Sequence, residues 1–211
     1  MPTAKTARPR RGRGSISADE IINGAMEVAA QVSIEHLSMP QLAKHLGVGV
    51  TSIYWYFRRK DDLLDAMTDR ALEEFEFTDP TISAANWREA LREHALTMRR
   101  RFLADPILCD LVLIRGQYGH RAMYGALQKL EQPIRALVDA GLTLDQAVET
   151  YGAISVHIRG SVVLERLQER TEGFPEQVAG QDRYIGLADD TDFAFILDSI
   201  LDYAAALIAA T

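Results

Sequence analysis

The chain has 211 residues, of which 47% are apolar and 25% charged, with a formal net charge of −7. It can build one large or two smaller cores, has no apolar run near the ~18 residues of a membrane span, and its single cysteine, Cys109, excludes an intrachain disulfide and a cysteine zinc cluster. Residues 1–60 hold nine Lys/Arg and four Asp/Glu, net +5, and the rest of the chain is net −12, so charge suited to phosphate gathers near the N-terminus.

Residues 1–16 read as a basic arm with Lys5, Arg8, Arg10, Arg11 and Arg13 and no acid, too polar to fold alone. Such an arm suits phosphates or a minor groove. It carries no secretory signal, and with the lone cysteine this leads us to expect a cytoplasmic protein.

Ser17 and Glu20 have capping-box spacing, and Ile21, Ile22, Ala25, Val28 and Ala29 follow helical spacing, so a first helix is expected near 17–32. Ser38 and Gln41 repeat the box, with Pro40 in the first turn, where its missing N–H costs nothing. Leu42, Ala43 and Leu46 give this helix a buried face, and Gly47 supplies the positive φ that ends it. Thr51 to Phe57 form a second short helix with hydroxyls and aromatics outside, followed by Arg58, Arg59 and Lys60. Two short helices joined by a tight turn make a helix-turn-helix over 38–57, the second helix shaped for a DNA major groove.

A fourth helix is expected over 60–77, opened by Asp61 and Asp62, with Leu64, Met67, Ala71 and Phe75 on one stripe. Beyond Asp79-Pro80 the pattern stays helical. Trp87, Leu91, His94, Met98 and Phe102 share a face; Asp105-Pro106 starts a short helix to about Arg115; residues 122–140 form another, which Pro133 should kink. Thr143 and Gln146 open a long helix to about 170, striped by Ala147, Tyr151, Ile154, Ile158, Val162 and Leu167. Residues 171–190 read as a loop. A last helix spans about 191–209, with Phe193, Ile196, Ile200, Ala204 and Leu207 facing one way. No period-two pattern suggests a sheet. The fold class is all-α, divided into the arm at 1–16, a DNA-binding unit at 17–60 and a helical remainder at 61–211.

Leu42-Ala43, Leu46-Gly47-Val48, Ile53-Tyr54-Trp55-Tyr56-Phe57, Lys60 and Leu63-Leu64 resemble the DNA-binding signature of the tetracycline-repressor (TetR) family. The resemblance covers residues 17–75. It implies three N-terminal helices for DNA and a larger helical domain for ligand binding and dimerisation. At family positions Tyr54, Tyr56 and Lys60 imply phosphate contacts, and Val50, Thr51 and Ser52 imply base reading. Together with Arg10, Arg11, Arg13, Ser38 and Trp55 these are the candidate DNA-contacting residues. At two base-reading positions the tetracycline repressors proper have Gln and Arg where this chain has Val50 and Pro40, so their operator sequence does not carry over. Phe57 is expected in the core.

No nucleophile-base arrangement, phosphate-binding glycine loop or metal-ligand spacing is present; the five histidines fall on different segments. No catalytic role, metal or cofactor is expected. Trp87, His94, Met98, Phe102, Met123, Tyr124, Tyr151 and His157 give mostly apolar helices a few polar tips, which suits a pocket for a small hydrophobic effector. Each of these polar tips also fits an ordinary core or interface position. Arg115 and Arg159 lie on helical segments; exposure is the simpler outcome for both, and burial would demand an acidic partner from protein or ligand. The expected partners are double-stranded DNA, a hydrophobic effector, and a second copy of the chain joined through the last two helices, with Ile158 and Ile200 in that interface. An effector-free architectural DNA-binding protein and a helical enzyme with a relic helix-turn-helix are the alternatives.

Overall fold

The computed structural model describes residues 16–74, 81–115, 130–170 and 190–210, with side chains omitted at 167–170. The described residues form helices and no strand. The arm residues Arg10, Arg11 and Arg13, the pocket candidates Met123 and Tyr124, and the loop expected over 171–190, save Asp190, lie outside them.

The chain divides into two compact units, and the first holds the helices up to residue 74 together with 106–115. Helix α1 spans Ala18–His36 and starts on the predicted capping box: the Glu20 N–H donates to Ser17 Oγ at 3.1 Å, and the Ser17 N–H donates to Glu20 Oε2 at 2.9 Å. The helix outruns the predicted end at 32, but only across a kink at Ser33, whose φ of 71° and ψ of 163° are not helical. Helix α2 is Met39–Leu46, capped by Ser38, whose hydroxyl accepts from the Gln41 N–H at 3.4 Å and donates to Gln41 Oε1 at 2.7 Å. Gly47 ends it at φ 68°, a left-handed conformation that a Cβ would penalise by ~1–2 kcal/mol. The Val48 N–H then reaches back to the Ala43 carbonyl at 3.0 Å. Gly24 permits the crossing of α1 and α2, because a Cβ there would lie 2.6 Å from Leu46 Cδ2.

Helix α3 is Val50–Tyr56 and α4 is Lys60–Glu74. Ile21, Leu42, Ile53, Leu63 and Met67 are fully buried and form the core of this unit. Each buried apolar side chain of this kind stabilises by ~1.5–3 kcal/mol. Pro106 starts the short helix α6, Pro106–Leu108, which continues as a π-helical segment, Cys109–Arg115; the sequence placed these turns but not their wider winding. Leu111, Val112 and Leu113 are buried in it. Cys109 is also buried, a small apolar side chain in use.

The second unit holds helix α5, Trp87–Ala104, with α7, Glu131–Asp139, α8, Leu144–Arg170, and α9, Asp190–Ala209. Pro133 falls in the first turn of α7, where no intrahelical bond is lost, so no kink needs to be assigned to it there. The Thr143–Gln146 box caps α8 as predicted, at 2.9 and 3.3 Å. Ala147, Tyr151, Ile154, Ile158 and Val162 are buried along α8.

On α9 the predicted stripe is half wrong. Phe193, Leu197, Leu201 and Ala204 are buried, whereas Ile196 is 41% exposed and Ile200 and Leu207 are only half-buried. The helix is so rich in Ala, Ile and Leu that two apolar stripes fit the same period, and only the tertiary packing chooses between them.

A candidate DNA interface and a helical regulatory unit

Ile53 and Phe57 anchor α3 from inside the first unit, as expected for Phe57. The opposite side is open: Val50 is 36%, Tyr54 45% and Trp55 79% exposed, and Thr51 is also exposed. Trp55 meets Tyr56 edge to face, centroids 4.8 Å apart, and does not pack into the core. One short helix thus offers a hydroxyl, an indole and a phenol to solvent, groups that can meet base edges, thymine methyls and phosphates.

Two candidate phosphate contacts are already engaged. The Tyr56 hydroxyl donates to the Ile16 carbonyl at 2.7 Å. A phenol has one proton, so Tyr56 has none left for a phosphate while that bond stands. In this conformation it anchors the backbone at Ile16. Lys60 Nζ donates to the Glu35 carbonyl at 2.8 Å, closing the C-terminal end of α1. An ammonium has three protons, so Lys60 can hold that carbonyl and a phosphate together. Ser38 is half-buried and serves first as the α2 cap.

The start of α4 is set by charge. Arg59 donates to Asp62 from its backbone N–H at 3.0 Å and from its guanidinium at 2.9 Å. That side-chain bond holds the Asp62 carboxyl below its usual range and raises the Arg59 guanidinium. Arg115 pairs with Asp61 at 3.2 Å and Asp65 at 2.9 Å, so its acidic partners are protein groups. Arg70 pairs with Asp19, tying α4 to the first turn of α1.

In the second unit the described pocket candidates do not form one cluster. His94 and Tyr151 do meet: both are buried, and Tyr151 Oη lies 3.4 Å from His94 Nε2. Met98 and Phe102 are buried, and Trp87 is half-buried at the start of α5. His157 goes elsewhere. Six residues separate it from Tyr151, which turns it ~120° around α8. It stacks on Phe193 at 4.4 Å between centroids, and its Nε2 lies 2.9 Å from the Phe193 carbonyl oxygen. A separate groove of 440 Å³ between α7 and α8 is walled by Leu130, Ile134, Val138, Leu144 and Val148, with Glu131 and Arg135 at its edge. None of the six described candidates lines it.

Sequence reasoning missed Arg99. It is 2% exposed, pairs with Glu165 at 2.5 Å and Asp190 at 2.7 Å, and lies 5.2 Å from the centre of the Phe193 ring. The signal was available, because Arg99 stands four residues after Ala95 on the inward face of α5. Arg92 and Arg88 make further links to α9, through Asp198 at 2.8 Å and Asp202 at 2.7 Å. Hydrogen bonding to Asp198 raises the Arg92 guanidinium. Exposed pairs of this sort contribute little, within ~0–1 kcal/mol each.

The exposed faces of α8 and α9 are apolar. Val156 is 70%, Leu164 54%, Phe195 72% and Tyr203 67% exposed, with Gly160 beside them on the outer face of α8. Ile158, expected at an interface, is 6% exposed and belongs to the unit's own core. No helix among the described residues is long and apolar enough to cross a membrane.

Comparison with known proteins matches residues 21–67 to the model of bacterial regulatory proteins of the tetR family, and residues 79–202 to the tetracyclin repressor-like C-terminal domain. The HTH-type transcriptional repressor Rv1353c of Mycobacterium tuberculosis is 48% identical over 99% of this chain and 87% of its own length. The class C tetracycline repressor protein of Escherichia coli is 30% identical over 72% of this chain and 67% of its own. Among solved structures, TetR from Acinetobacter baumannii AYE superposes with a TM-score of 0.70 at 25% identity, covering 92% of this chain and 98% of that one. A variant of that repressor in complex with minocycline gives 0.67 at 26% identity, covering 92% and 99%.

Proposed function

Because the chain belongs to the tetR family of bacterial regulatory proteins, we propose that it is a dimeric repressor that binds a palindromic DNA operator and is released from it by a small hydrophobic molecule. The observation that carries the DNA-binding half is the open face of α3, with Thr51, Tyr54 and Trp55 turned to solvent on a helix locked from behind by Ile53 and Phe57. The basic arm begins next to it, where Tyr56 holds Ile16.

Dimerisation is supported by the bare apolar faces of α8 and α9. Val156, Leu164, Phe195 and Tyr203 together are more than a soluble helix leaves to water without a use. Two such helices from each copy would make a four-helix interface of the order of 2,000 Å². Two recognition helices then address half-sites one DNA turn apart, ~34–36 Å.

Release needs an effector that prefers the non-binding arrangement. Moving a 1:99 equilibrium to 99:1 takes ~5.5 kcal/mol of differential affinity. The buried His94–Tyr151 pair within an otherwise apolar core supports a ligand with an apolar body and few polar groups. The minocycline bound by the related repressor is a ligand of that protein, and it supports this domain as the place to look.

The test is a titration of a fluorescent operator duplex, isolated by selection, with the purified protein. Two protomers should bind per duplex, and one or more members of an aromatic and aliphatic compound panel should release it. Binding by one protomer, or a complex that no compound disturbs while none binds the free protein, would remove the corresponding half of the proposal.

A further inference from the structure

The open face of α3 is built from two short rows. Val50 stands four residues before Tyr54, and Thr51 four before Trp55. At ~100° per residue the four fall within ~140° of arc, and all four are exposed. The first turn is where a recognition helix meets base edges. There the exposed groups are the Val50 methyls and the methyl and hydroxyl of Thr51, with Ser52 half-buried beside them. A Cβ on the N-cap Gly49 would have no non-adjacent neighbour within 4 Å among the described residues, so the approach to this turn is clear. No residue of α3 carries an amide, a guanidinium or an ammonium group, the groups that make paired hydrogen bonds to guanine or adenine. Gln41 and Lys44 belong to α2, the helix that crosses the backbone, and Gln41 Oε1 already accepts from Ser38. Arg58 follows the C-cap Phe57 at the far end of α3, Arg59 donates to Asp62, and Lys60 donates to Glu35.

We propose that α3 identifies its operator by thymine methyls: Val50 and the Thr51 methyl enclose the C5 methyl of one or more thymines in each half-site, while the surrounding hydroxyls, phenol and indole fix position without choosing the base. This rests on the operator-binding reading above and specifies the chemistry of the sequence it takes. The C5 methyl is the one apolar group that the major groove displays. A hydroxyl or an indole N–H donates a single hydrogen bond, which guanine N7, adenine N7 and thymine O4 all accept, so it discriminates weakly. Enclosing one methyl should contribute about fourfold in affinity, ~0.8 kcal/mol, and two symmetric half-sites together about fifteenfold. The methyl lies in the major groove, so contacts of the basic N-terminal residues in a minor groove do not respond to its removal.

The test uses the palindromic duplex that the full-length protein selects from a random pool. Each thymine is replaced in turn, in both half-sites, by deoxyuridine, which lacks only the C5 methyl, and affinity is read by fluorescence anisotropy. At one position or more this should weaken binding about fifteenfold. Changing that T·A pair to C·G should weaken it too, and 5-methylcytosine in the C·G duplex should recover fourfold or more, since it restores the methyl and not the thymine hydrogen-bonding edge. Val50→Ala or Thr51→Ala should shrink the deoxyuridine loss to about fourfold or less. Replacing any guanine by 7-deazaguanine should cost less than threefold. A selected half-site without thymine, or deoxyuridine tolerated within threefold at every position, overturns the methyl reading and leaves operator binding standing. So does a deoxyuridine loss undiminished in both variants, or a larger loss from 7-deazaguanine than from any deoxyuridine. A protein that selects no sequence overturns the operator reading together with this one.

Discussion

The Tyr56 hydroxyl donates to the Ile16 carbonyl at 2.7 Å, across forty residues of chain. It joins the last residue of α3 to the residue at which the basic arm begins, and Ile16 itself is buried. The chain at Ile16 is thereby fixed beside the exposed face of α3.

Tyr56→Phe removes this bond and little else. Stability should fall by ~1 kcal/mol, the usual net worth of one hydrogen bond. Affinity for DNA should fall for all sequences alike, with a shallower salt dependence, because the arm loses its registration. In a chain lacking residues 1–15 the same substitution should have no further effect on DNA binding. Fluorescence anisotropy over a salt series on the four proteins measures this cycle.

Lys60→Ala and Thr51→Ala should separate phosphate contact from base reading. Lys60→Ala should weaken binding to every duplex and reduce the salt slope by ~1. It should also lower the melting temperature, since Lys60 caps the Glu35 carbonyl. Thr51→Ala should leave both unchanged and alter the preferred sequence at one position per half-site. A Lys60→Ala protein with the wild-type salt slope contradicts the phosphate role.

The exposed faces of α8 and α9 predict which substitutions would break the proposed dimer. Val156→Asp and Phe195→Asp should give folded monomers by sedimentation at micromolar concentration, because both side chains stand outside the unit's core. Ile158→Asp should instead prevent folding, since it places a charge in that core. Folded Phe195→Asp dimers contradict the interface.

Arg99 holds Glu165 near the end of α8 and Asp190 at the start of α9. Arg99→Ala leaves both carboxylates unpaired and opens a cavity. The cost should stay below the ~3–5 kcal/mol of a broken, fully buried pair, because Asp190 is 81% and Glu165 32% exposed. Glu165→Gln should cost less still. Urea unfolding of the two variants gives the order, and the reverse order contradicts it.

What could be read in the sequence was local. Ser17–Glu20, Ser38–Gln41 and Thr143–Gln146 announce helix starts because cap and partner lie three residues apart, and Gly47 announces an end because its φ must be positive. The open face of α3 was legible for the same reason. The contacts that give site residues their second roles are distant in sequence: Tyr56 to Ile16, Lys60 to Glu35, Arg99 to Glu165 and Asp190. Nothing in a periodic pattern marks such partners. The choice between Leu197 and Ile196 as the inward residue of α9 was equally closed, since both stripes are apolar. His157 was assigned with Tyr151 from composition, and helix geometry parts them.

The central claim is that two copies of this chain read an inverted repeat through α3. The most direct measurement is selection from a random-sequence duplex pool by the purified full-length protein, repeated with Trp55→Ala and with Phe195→Asp. The account predicts that the wild type enriches one palindromic sequence with half-site centres about one helical turn apart. Trp55→Ala should enrich it weakly, and Phe195→Asp should enrich at most single half-sites. A wild-type protein that retains duplexes without enriching any sequence, or that enriches one non-repeated site as a monomer, would contradict it.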